Sequence, residues 1–575
     1  MRRYKWGSYV AIGLAILFFY FAVGLGQQVA KEYWYLVIPA FFFTLLAFFL
    51  FKKYSHLKLV DELRIQWGKN KQKKRDFAKI RLYFDLSKVE DGFRLDDRTW
   101  QDLNMDEVYA RVDRTLTYPG SQKLYVMLRN LLFSQKKLQE RNRLISLFQE
   151  QKEIREQVQI ALGKFGNDFG WAIPSLLWED KALKKPKYAW FFSALFLAMI
   201  IGVLLLAFVS PKGIIAFLSI GFSINMYLHF REQKRNQYHF ETIKALSRLV
   251  YIGKLLTKKR IHGLEAEQKK LKKIIHSVGK YSRIVFLVGL ESGDPYLGVL
   301  WQYVSILFLS EVRAFYKALG FIEKNRETLQ ELYLVISELD ALQAVASYRE
   351  GLEFYSLPVF ANDESEKSMI LKANDFYHPL LKEPVCNSLT IKNHGILITG
   401  SNMSGKSTFL RTMGVNAVFA QTIFTCHARE YCSPFLQVIT SIGRSDNIIE
   451  GQSYYLVEAL SVLRTIEKLN PNRLSLCIYD ELFRGTNSSE RLTANVNVLR
   501  YVSRRNAIVL VATHDLELTE ILADCYINYH FSEKVGSQGL EFDYRLKDGP
   551  STTSNALALL EYLGYPPEIV KKATS

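Results

Sequence analysis

A short glycine-bounded loop constrains the fold of this chain more than any other feature. It matches the pattern G-x-x-x-x-G-K-[ST], follows the apolar run Gly395–Thr399 and precedes a helical pattern that begins at Phe409. Strand, loop and helix in this order let backbone amides converge on phosphate oxygens at a helix N-terminus. The sequence therefore predicts an α/β fold around a triphosphate-binding loop. The loop residues are Gly400, Ser401, Asn402, Met403, Ser404, Gly405, Lys406, Ser407 and Thr408.

Two later apolar runs are followed by polar residues that could complete a triphosphate-binding site. One run is followed by Asp480 and Glu481, and another leads to His514. Carboxylates at strand ends can hold Mg²⁺ and activate water. We therefore expect Lys406 to contact the β- and γ-phosphates, and Ser407 and Asp480 to ligate Mg²⁺. Glu481 is the expected base that orients or deprotonates the attacking water. His514 is the expected sensor of the γ-phosphate.

Four apolar segments have the length of membrane-spanning helices, roughly 18–22 residues each. The first could instead be a signal peptide, although its apolar region is long and no small-residue cleavage pattern follows it. The second pair could instead be a buried core hairpin. We expect four transmembrane helices in two hairpins. Their residues are 9–26, 33–51, 188–209 and 213–230.

Basic residues lie outside each apolar pair, for example Arg2 and Arg3 before the first and Lys52 and Lys53 after the second. The positive-inside rule then places every soluble part in the cytoplasm. Five cysteines without C-x-x-C spacing also favour a reducing compartment. The expected location is the inner (cytoplasmic) membrane, with several spans.

Two local features leave alternatives open. Net charge is +18, and basic clusters lie at residues 69–75, 258–260 and 269–273. Such clusters are either solvated helix faces or contacts to phosphate, in nucleic acid or anionic lipid. Cys426, His427 and Cys432 could bind a metal, although a fourth ligand at zinc spacing is missing.

Several motifs resemble the MutS mismatch-repair ATPases. The phosphate loop with the preceding Thr399 is similar to that of the family, and residues 480–487 resemble its D-E-x-x-R-G-T-[ST/N] segment. Residues 512–518 resemble A-T-H-x-x-E-L, and residues 559–570 are similar to the helix that closes the family's ATPase domain. Upstream, residues 95–99 and 114–121 look like the start of its helical core. The resemblance covers most of residues 92–180 and 325–572.

The resemblance implies an ATP- and Mg²⁺-dependent ATPase that forms a homodimer with composite sites. Ser453, in the segment 450–458, is the residue expected to reach the partner's γ-phosphate. DNA is the partner that the family implies, and the membrane and anionic lipid are further expected partners. An N-terminal mismatch-recognition domain is not visible, the DNA clamp looks missing or reduced, and no nuclease domain follows the ATPase.

The expected fold is an α/β P-loop ATPase domain of ABC/MutS type, preceded by an all-α MutS-like core with four transmembrane helices. Its predicted parts are a transmembrane hairpin (1–52), a cytoplasmic helical region that starts the core (53–187), a second hairpin (188–230), a core and lever region (231–360) and the ATPase domain (361–575).

Three functions compete. The first is a membrane-anchored MutS-like ATPase that switches a dimer and acts on DNA, in a mismatch-repair-like role or on branched DNA. The second is an ATP-driven membrane machine that does not act on DNA. The third is an ABC-type transporter, which the absence of an L-S-G-G-Q sequence disfavours.

Overall fold

The structure is a computed structural model in which helices precede a C-terminal α/β region. It describes residues 1–70, 73–87, 92–166, 169–179, 185–209, 211–289, 295–361, 370–392, 394–401, 403–442, 454–483, 485–536, 539–551 and 565–566.

The first two helices form an antiparallel hairpin joined by a 3₁₀ turn at Lys31–Leu36. Phe18 and Phe43 stack between them with ring centroids 5.6 Å apart. The second helix continues well beyond the predicted boundary at residue 52. Its polar end reaches the helical core, where Arg64 pairs with Glu156 at 2.7 Å. The helices are α1 (Arg2–Gln28) and α2 (Val37–Gln66).

The first part of the core is a set of short helices around a continuous apolar interior. It is not purely helical, because Phe93–Arg94 and Asn130–Leu131 pair as a two-stranded antiparallel sheet, β1 and β2. This departs from the all-α expectation, since two-residue strands leave no periodic pattern in a sequence. The helices are α3 (Phe77–Leu86), α4 (Asp97–Asp102), α5 (Met105–Val112), α6 (Tyr118–Arg129), α7 (Gln135–Glu150), α8 (Lys152–Leu162) and α9 (Ile173–Trp178).

The second apolar pair interrupts this core. Its second member does not end at residue 230 but continues to Lys258, as a 48-residue helical stretch in which two helices meet at a kink at Asn236. Past that residue, side chains such as Phe240 and Ile243 are buried in the core. The helices of this half are α10 (Trp190–Val209), α11 (Pro211–Lys258), α12 (Glu265–Gly289), α13 (Pro295–Phe308), α14 (Ser310–Lys324) and α15 (Arg326–Glu350).

Four helical stretches are long and apolar enough to cross a membrane, by length and composition. Only 11–17% of the most apolar window of each is buried within the chain. The stretches are Arg2–Gln27, Glu32–Gln66, Lys187–Leu206 and Gly213–Lys258.

The C-terminal region holds two sheets. Six strands form the main sheet in the order β12-β11-β6-β10-β9-β8, and four form a smaller one in the order β3-β7-β4-β5. The strands are β3 (Val359–Phe360), β4 (Ile370–Phe376), β5 (Asn387–Lys392), β6 (Gly395–Thr399), β7 (Glu430–Ser433), β8 (Gln437–Ser441), β9 (Ser475–Asp480), β10 (Ala507–Ala512), β11 (Tyr526–Gly536) and β12 (Gly539–Asp548). The helices are α16 (Lys406–Thr422), α17 (Tyr454–Glu467), α18 (Ser488–Ser503) and α19 (Glu517–Ile521).

Two aspartates of α4 fasten the core to this region. Asp96 caps α4 by accepting from the amide of Thr99 at 2.6 Å, and it also binds Arg464 and Lys468 of α17. Burial alone would raise the pKa of Asp96, but the Lys468 hydrogen bond and the Arg464 charge lower it to about 2. At the other end of α4, the Asp102 carboxylate accepts from Thr440 at 2.8 Å. The core therefore contacts both the end of β8 and α17.

Substitution of Asp340 in α15 tests which hydrogen bonds stabilise the helical core. It is fully buried and accepts hydrogen bonds from the amides of Leu116 and Thr117 and from the Thr117 hydroxyl. Asp340→Ala leaves these donors unpaired, which should cost about 3 kcal/mol or more. We expect the thermal unfolding midpoint to fall by about 2–5 °C. Glu331→Ala, on an exposed position of the same helix, should leave it unchanged, and an equal fall in both variants would contradict the assignment.

Candidate functional site

Three neighbouring parallel strands end at the same edge of the main sheet. β10 pairs with β6 on one side and with β9 on the other, with Ala512 opposite both Ile398 and Asp480. The carboxyl ends of parallel strands in such a sheet form the usual ligand crevice. Residues that follow β6, β9 and β10 in the sequence are therefore brought together.

The phosphate loop follows β6 and has a conformation that needs its glycines. Gly400 and Gly405 have φ of 141° and 108°. A Cβ atom at Gly400 would lie 2.7 Å from the carbonyl oxygen of Phe531 in β11, so no larger residue fits there. Helix α16 begins at Lys406, and its N-terminal amides therefore point toward the loop.

Lys406 is folded back over this loop. Its side chain is 4% exposed, and Nζ donates to the carbonyl oxygens of Gly400 at 2.6 Å and Ser401 at 2.8 Å. Nζ also lies 3.4 Å from Nε2 of His514. The ammonium group is thus held inside the loop. When a nucleotide binds, its phosphate oxygens would replace these carbonyl oxygens as hydrogen-bond acceptors.

Ser407 and Asp480 form the predicted metal pair. The hydroxyl of Ser407 donates to Oδ2 of Asp480 at 2.6 Å. The other carboxylate oxygen, Oδ1, is buried without a hydrogen-bond partner. Buried acceptors are normally satisfied, so an orphaned carboxylate oxygen beside a hydroxyl fits the oxygen ligand set of Mg²⁺.

Glu481 and His514 face each other across the ends of β9 and β10. Oε1 of Glu481 lies 2.6 Å from Nε2 of His514. Glu481 has a positive φ of 54°, an uncommon conformation for a side chain of this size. Its amide donates to the carbonyl oxygen of Ala512 at 2.9 Å, which ties the turn to β10. Strained backbone held by its surroundings is typical of functional sites.

The other predicted loop residues have supporting positions. The Ser404 hydroxyl donates to the carbonyl oxygen of Ser401 at 2.9 Å, and the Thr408 carbonyl accepts from Thr412 within α16. Met403 is 82% exposed, so its side chain does not pack on the loop. Asn402 and Ser453 lie outside the described residues.

The C-terminal region matches a known family. Residues 396–575 match MutS domain V. Through this region the chain is similar to the MutS family. MutS domain V is an α/β P-loop ATPase domain, which agrees with the sheet and the loop described above.

Curated MutS proteins give the same result. The chain is 32% identical over 257 residues to the DNA mismatch repair protein MutS of Thermus aquaticus, covering 44% of this chain and 30% of that protein. It is 30% identical over 295 residues to that of Staphylococcus epidermidis, covering 49% and 32%. For the protein of Listeria monocytogenes serotype 4a the identity is 29% over 276 residues, covering 46% and 31%. The matches thus span about a third of the length of these relatives.

Two contacts around the candidate nucleotide site were not predicted. Arg491 of α18 forms a two-pronged ion pair with Asp515, at 2.6 and 3.0 Å, and so fixes the turn that carries His514. Glu533 of β11 accepts a hydrogen bond from the Ser401 hydroxyl of the phosphate loop. Asp515 directly follows His514 and could have been suspected from the sequence. Glu533 carries no such signal.

The structure does not support the alternative metal site at Cys426, His427 and Cys432. Among the described residues, no group of three or more His, Cys, Asp or Glu side chains could hold a metal ion. His427 is fully buried, which lowers its pKa to about 3, and its Nε2 lies 2.6 Å from the Tyr348 hydroxyl. Its backbone amide donates to Asn416 at 2.6 Å. These contacts are those of a structural residue.

The three basic clusters differ in their contacts and in their exposure. At 69–75, Arg75 is bound to the buried Asp113 at 3.0 Å, and Lys73 donates to Ser121 at 3.1 Å, so both stabilise the core. The clusters at 258–260 and 269–273 lie on either side of the turn between α11 and α12, and their basic side chains are exposed. These two clusters therefore offer a basic surface to a partner.

Glu481→Gln tests the assigned base. The amide keeps the size of the side chain but cannot accept a proton, so hydrolysis should fall by about 10²–10⁴-fold. ATP should still bind, because Lys406 and the loop are unchanged. The measurement is the phosphate release rate together with equilibrium ATP binding. Glu520→Gln, an exposed position on α19, is the control, and wild-type turnover by Glu481→Gln would refute the assignment.

Asp480→Asn tests the metal pair. Loss of one charge next to Ser407 should raise the Mg²⁺ concentration for half-maximal hydrolysis at least about tenfold, as ligand-shell changes usually do. Nucleotide binding measured in EDTA should stay as in the wild type, because it involves no metal. A Mg²⁺ titration of hydrolysis gives the answer, and an unchanged requirement would remove Asp480 from the metal site.

Proposed function

We propose that this MutS-like chain is a membrane-anchored ATPase that binds and hydrolyses Mg·ATP to switch a dimer, and that it acts on DNA. The convergence of Lys406, the Ser407–Asp480 pair and the Glu481–His514 pair carries this proposal. When bound, Mg²⁺ would neutralise charge on the β- and γ-phosphates. The chain itself cradles the phosphates with loop amides, orients water with Glu481 and keeps His514 beside Lys406.

Exposed apolar surface supports the membrane anchor. Large side chains of the candidate spans face outward, including Phe41 at 65%, Ile201 at 52% and Ile215 at 71% exposure. Soluble proteins rarely expose large contiguous apolar patches. A bilayer would cover these surfaces, and the basic flanks place the ATPase domain on its cytoplasmic side.

Helix α17 supports the dimer. Tyr455, Leu456, Leu460 and Leu463 on this helix are each 40–48% exposed and follow the expected trans residue Ser453 in the chain. An apolar helix face next to an ATP site suits contact with a second copy. Homodimerisation would bring Ser453 of one copy toward the phosphate loop of the other.

The exposed lysines near the start of α12 support DNA as the partner. Replacing Lys269, Lys270, Lys272 and Lys273 with Gln should weaken binding to duplex or branched DNA. It should also reduce the slope of log K against log salt, by roughly 0.9 for each phosphate that the variant no longer neutralises. The measurement is fluorescence anisotropy with the detergent-solubilised chain between 50 and 200 mM salt, with perfect, mismatched and branched substrates.

The matched control is a variant with Gln at Lys152, Lys164, Lys317 and Lys324, which are exposed positions elsewhere on the core. Equal losses of affinity in both variants would indicate unspecific polyanion binding. No binding beyond that of an unrelated polyanion such as heparin would refute the role on DNA.

The second candidate is a membrane machine that does not act on DNA. Helix α11 favours it, because it runs from the candidate span across a kink at Asn236 into the buried core. Motion of the core could then act directly on the bilayer. Under this function, a change from neutral to anionic vesicles alters ATP turnover, whereas DNA does not.

A further inference from the structure

Helix α13 is a short apolar helix that the candidate spans do not include. The sequence from Pro295 to Leu309 carries no charged residue, and the first charge that follows is Glu311. With 14 residues the helix is about 21 Å long, whereas the hydrocarbon core of a bilayer is roughly 30 Å thick. Its length therefore does not let it cross a membrane, and its neighbours decide whether it belongs to the soluble core or to the bilayer.

Helix α13 packs against the part of α11 that forms a candidate span. Nδ2 of Asn225 donates to the carbonyl oxygen of Leu307 at 2.6 Å. The rings of Phe222 and Tyr303 stack with their centroids 6.3 Å apart. Both residues of α11 lie within the apolar segment 213–230, and a polar side chain in such a segment is stabilised by a hydrogen bond to a neighbouring helix. The second half of α13 thus lies at the depth of the candidate span.

Helix α10 makes a further contact with the end of α13. The ring of Phe196 meets that of Phe308 edge to face, with the centroids 5.8 Å apart. The guanidinium group of Arg313, in the following helix α14, lies 3.7 Å from the centroid of the same Phe196 ring. Phe196 comes six residues after Trp190, where α10 begins. Long basic side chains near the end of a span typically extend to the membrane surface, so α13 ends near the predicted cytoplasmic end of α10.

Charged groups return where α13 ends. Leu309, between α13 and α14, has a positive φ of 49° and separates the two helices. Just beyond it, Oε2 of Glu311 lies 3.6 Å from Nε2 of His229, at the predicted cytoplasmic end of the span in α11. From this point back toward the start of α13, its partners on α11 run from His229 to Asn225 and then to Phe222. Helix α13 therefore follows α11 into its apolar segment.

One side of α13 packs on the chain and another faces outward. Ser305 and Ile306 are buried, whereas Tyr303 is 59% exposed. Because Tyr303 stacks on Phe222, this outward side is continuous with the apolar surface of α11, where Ile220 is 63% exposed. The same medium must therefore surround both helices.

We infer that α13 is embedded in the bilayer beside the second candidate hairpin and enters the hydrocarbon core without spanning it. The inference rests on the proposed membrane anchor, because α13 shares the depth of α10 and α11. Lipid acyl chains are the partner of its outward side. Helix α13 leads directly into α14, whose Phe315 and Leu319 are buried in the core. The core therefore has a second attachment to the bilayer besides α11.

The test uses the full-length chain in phosphatidylcholine nanodiscs, with p-benzoylphenylalanine placed at one position at a time. On irradiation this residue bonds covalently to C–H groups that it contacts. Tyr303 is the test position, and another aromatic residue at this exposed position should not disturb the fold. Phe41 of α2, 65% exposed, is the reference within a candidate span, and Tyr501 of α18, 44% exposed, is the reference in water. Mass spectrometry quantifies the lipid adducts and locates the attachment within the lipid.

We expect acyl-chain adducts at Tyr303 and Phe41 in similar yield, at least about tenfold above that at Tyr501, because hydrocarbon surrounds residues in the bilayer core. Adducts at Phe41 without adducts at Tyr303 would overturn the inference and leave the membrane anchor intact. Attachment at Tyr303 to the lipid headgroup alone, or equal yields at Tyr303 and Tyr501, would overturn it as well. The absence of adducts at Phe41 would instead refute the proposed membrane anchor, and this inference with it.

Discussion

The parallel pairing of β6, β10 and β9 is the constraint on which the rest of the site depends. It sets the ends of three strands side by side, so that a loop, a carboxylate pair and a histidine from distant parts of the chain meet. The close contacts then follow, with Ser407 on Asp480 and Glu481 on His514, both at 2.6 Å. A shift of β9 against β10 by one residue would turn its side chains to the other face of the sheet.

Helix α4 connects this site to the helical core. Asp96 and Asp102 bind side chains of α17 and of the end of β8, which lie on either side of the segment that contains Ser453. The core includes the second half of α11, which leads across a kink at Asn236 into a candidate membrane span. The chain therefore offers a path of packed helices from the candidate nucleotide site to a candidate membrane span, and packed elements of this kind can carry energetic coupling between distant sites.

Short apolar runs in the sequence were enough to predict the central strands of the main sheet. The run Gly395–Thr399 is a strand with the predicted bounds, and the apolar runs that lead to Asp480 and to His514 are strands as well. Each is short, apolar and buried on both faces, which is the strongest strand pattern.

Contacts between residues far apart in the sequence could not be predicted. The Asp96–Arg464 pair joins residues 368 positions apart, and the Ser401–Glu533 bond joins residues 132 apart. Neither contact lies next to a sequence motif that would indicate it. The hairpin β11–β12 was missed because its strands contain many polar and charged residues and no continuous apolar run. The predicted boundary at residue 230 falls inside α11 because no helix-breaking residue lies there.

The central claim is that the converging strand ends form a hydrolytic ATP site. It is tested most directly by the rate of Mg²⁺-dependent phosphate release from ATP by the full-length chain in lipid nanodiscs, compared with Lys406→Ala. We expect release by the wild type that disappears in EDTA and in Lys406→Ala. Equal release by the two proteins would contradict the account.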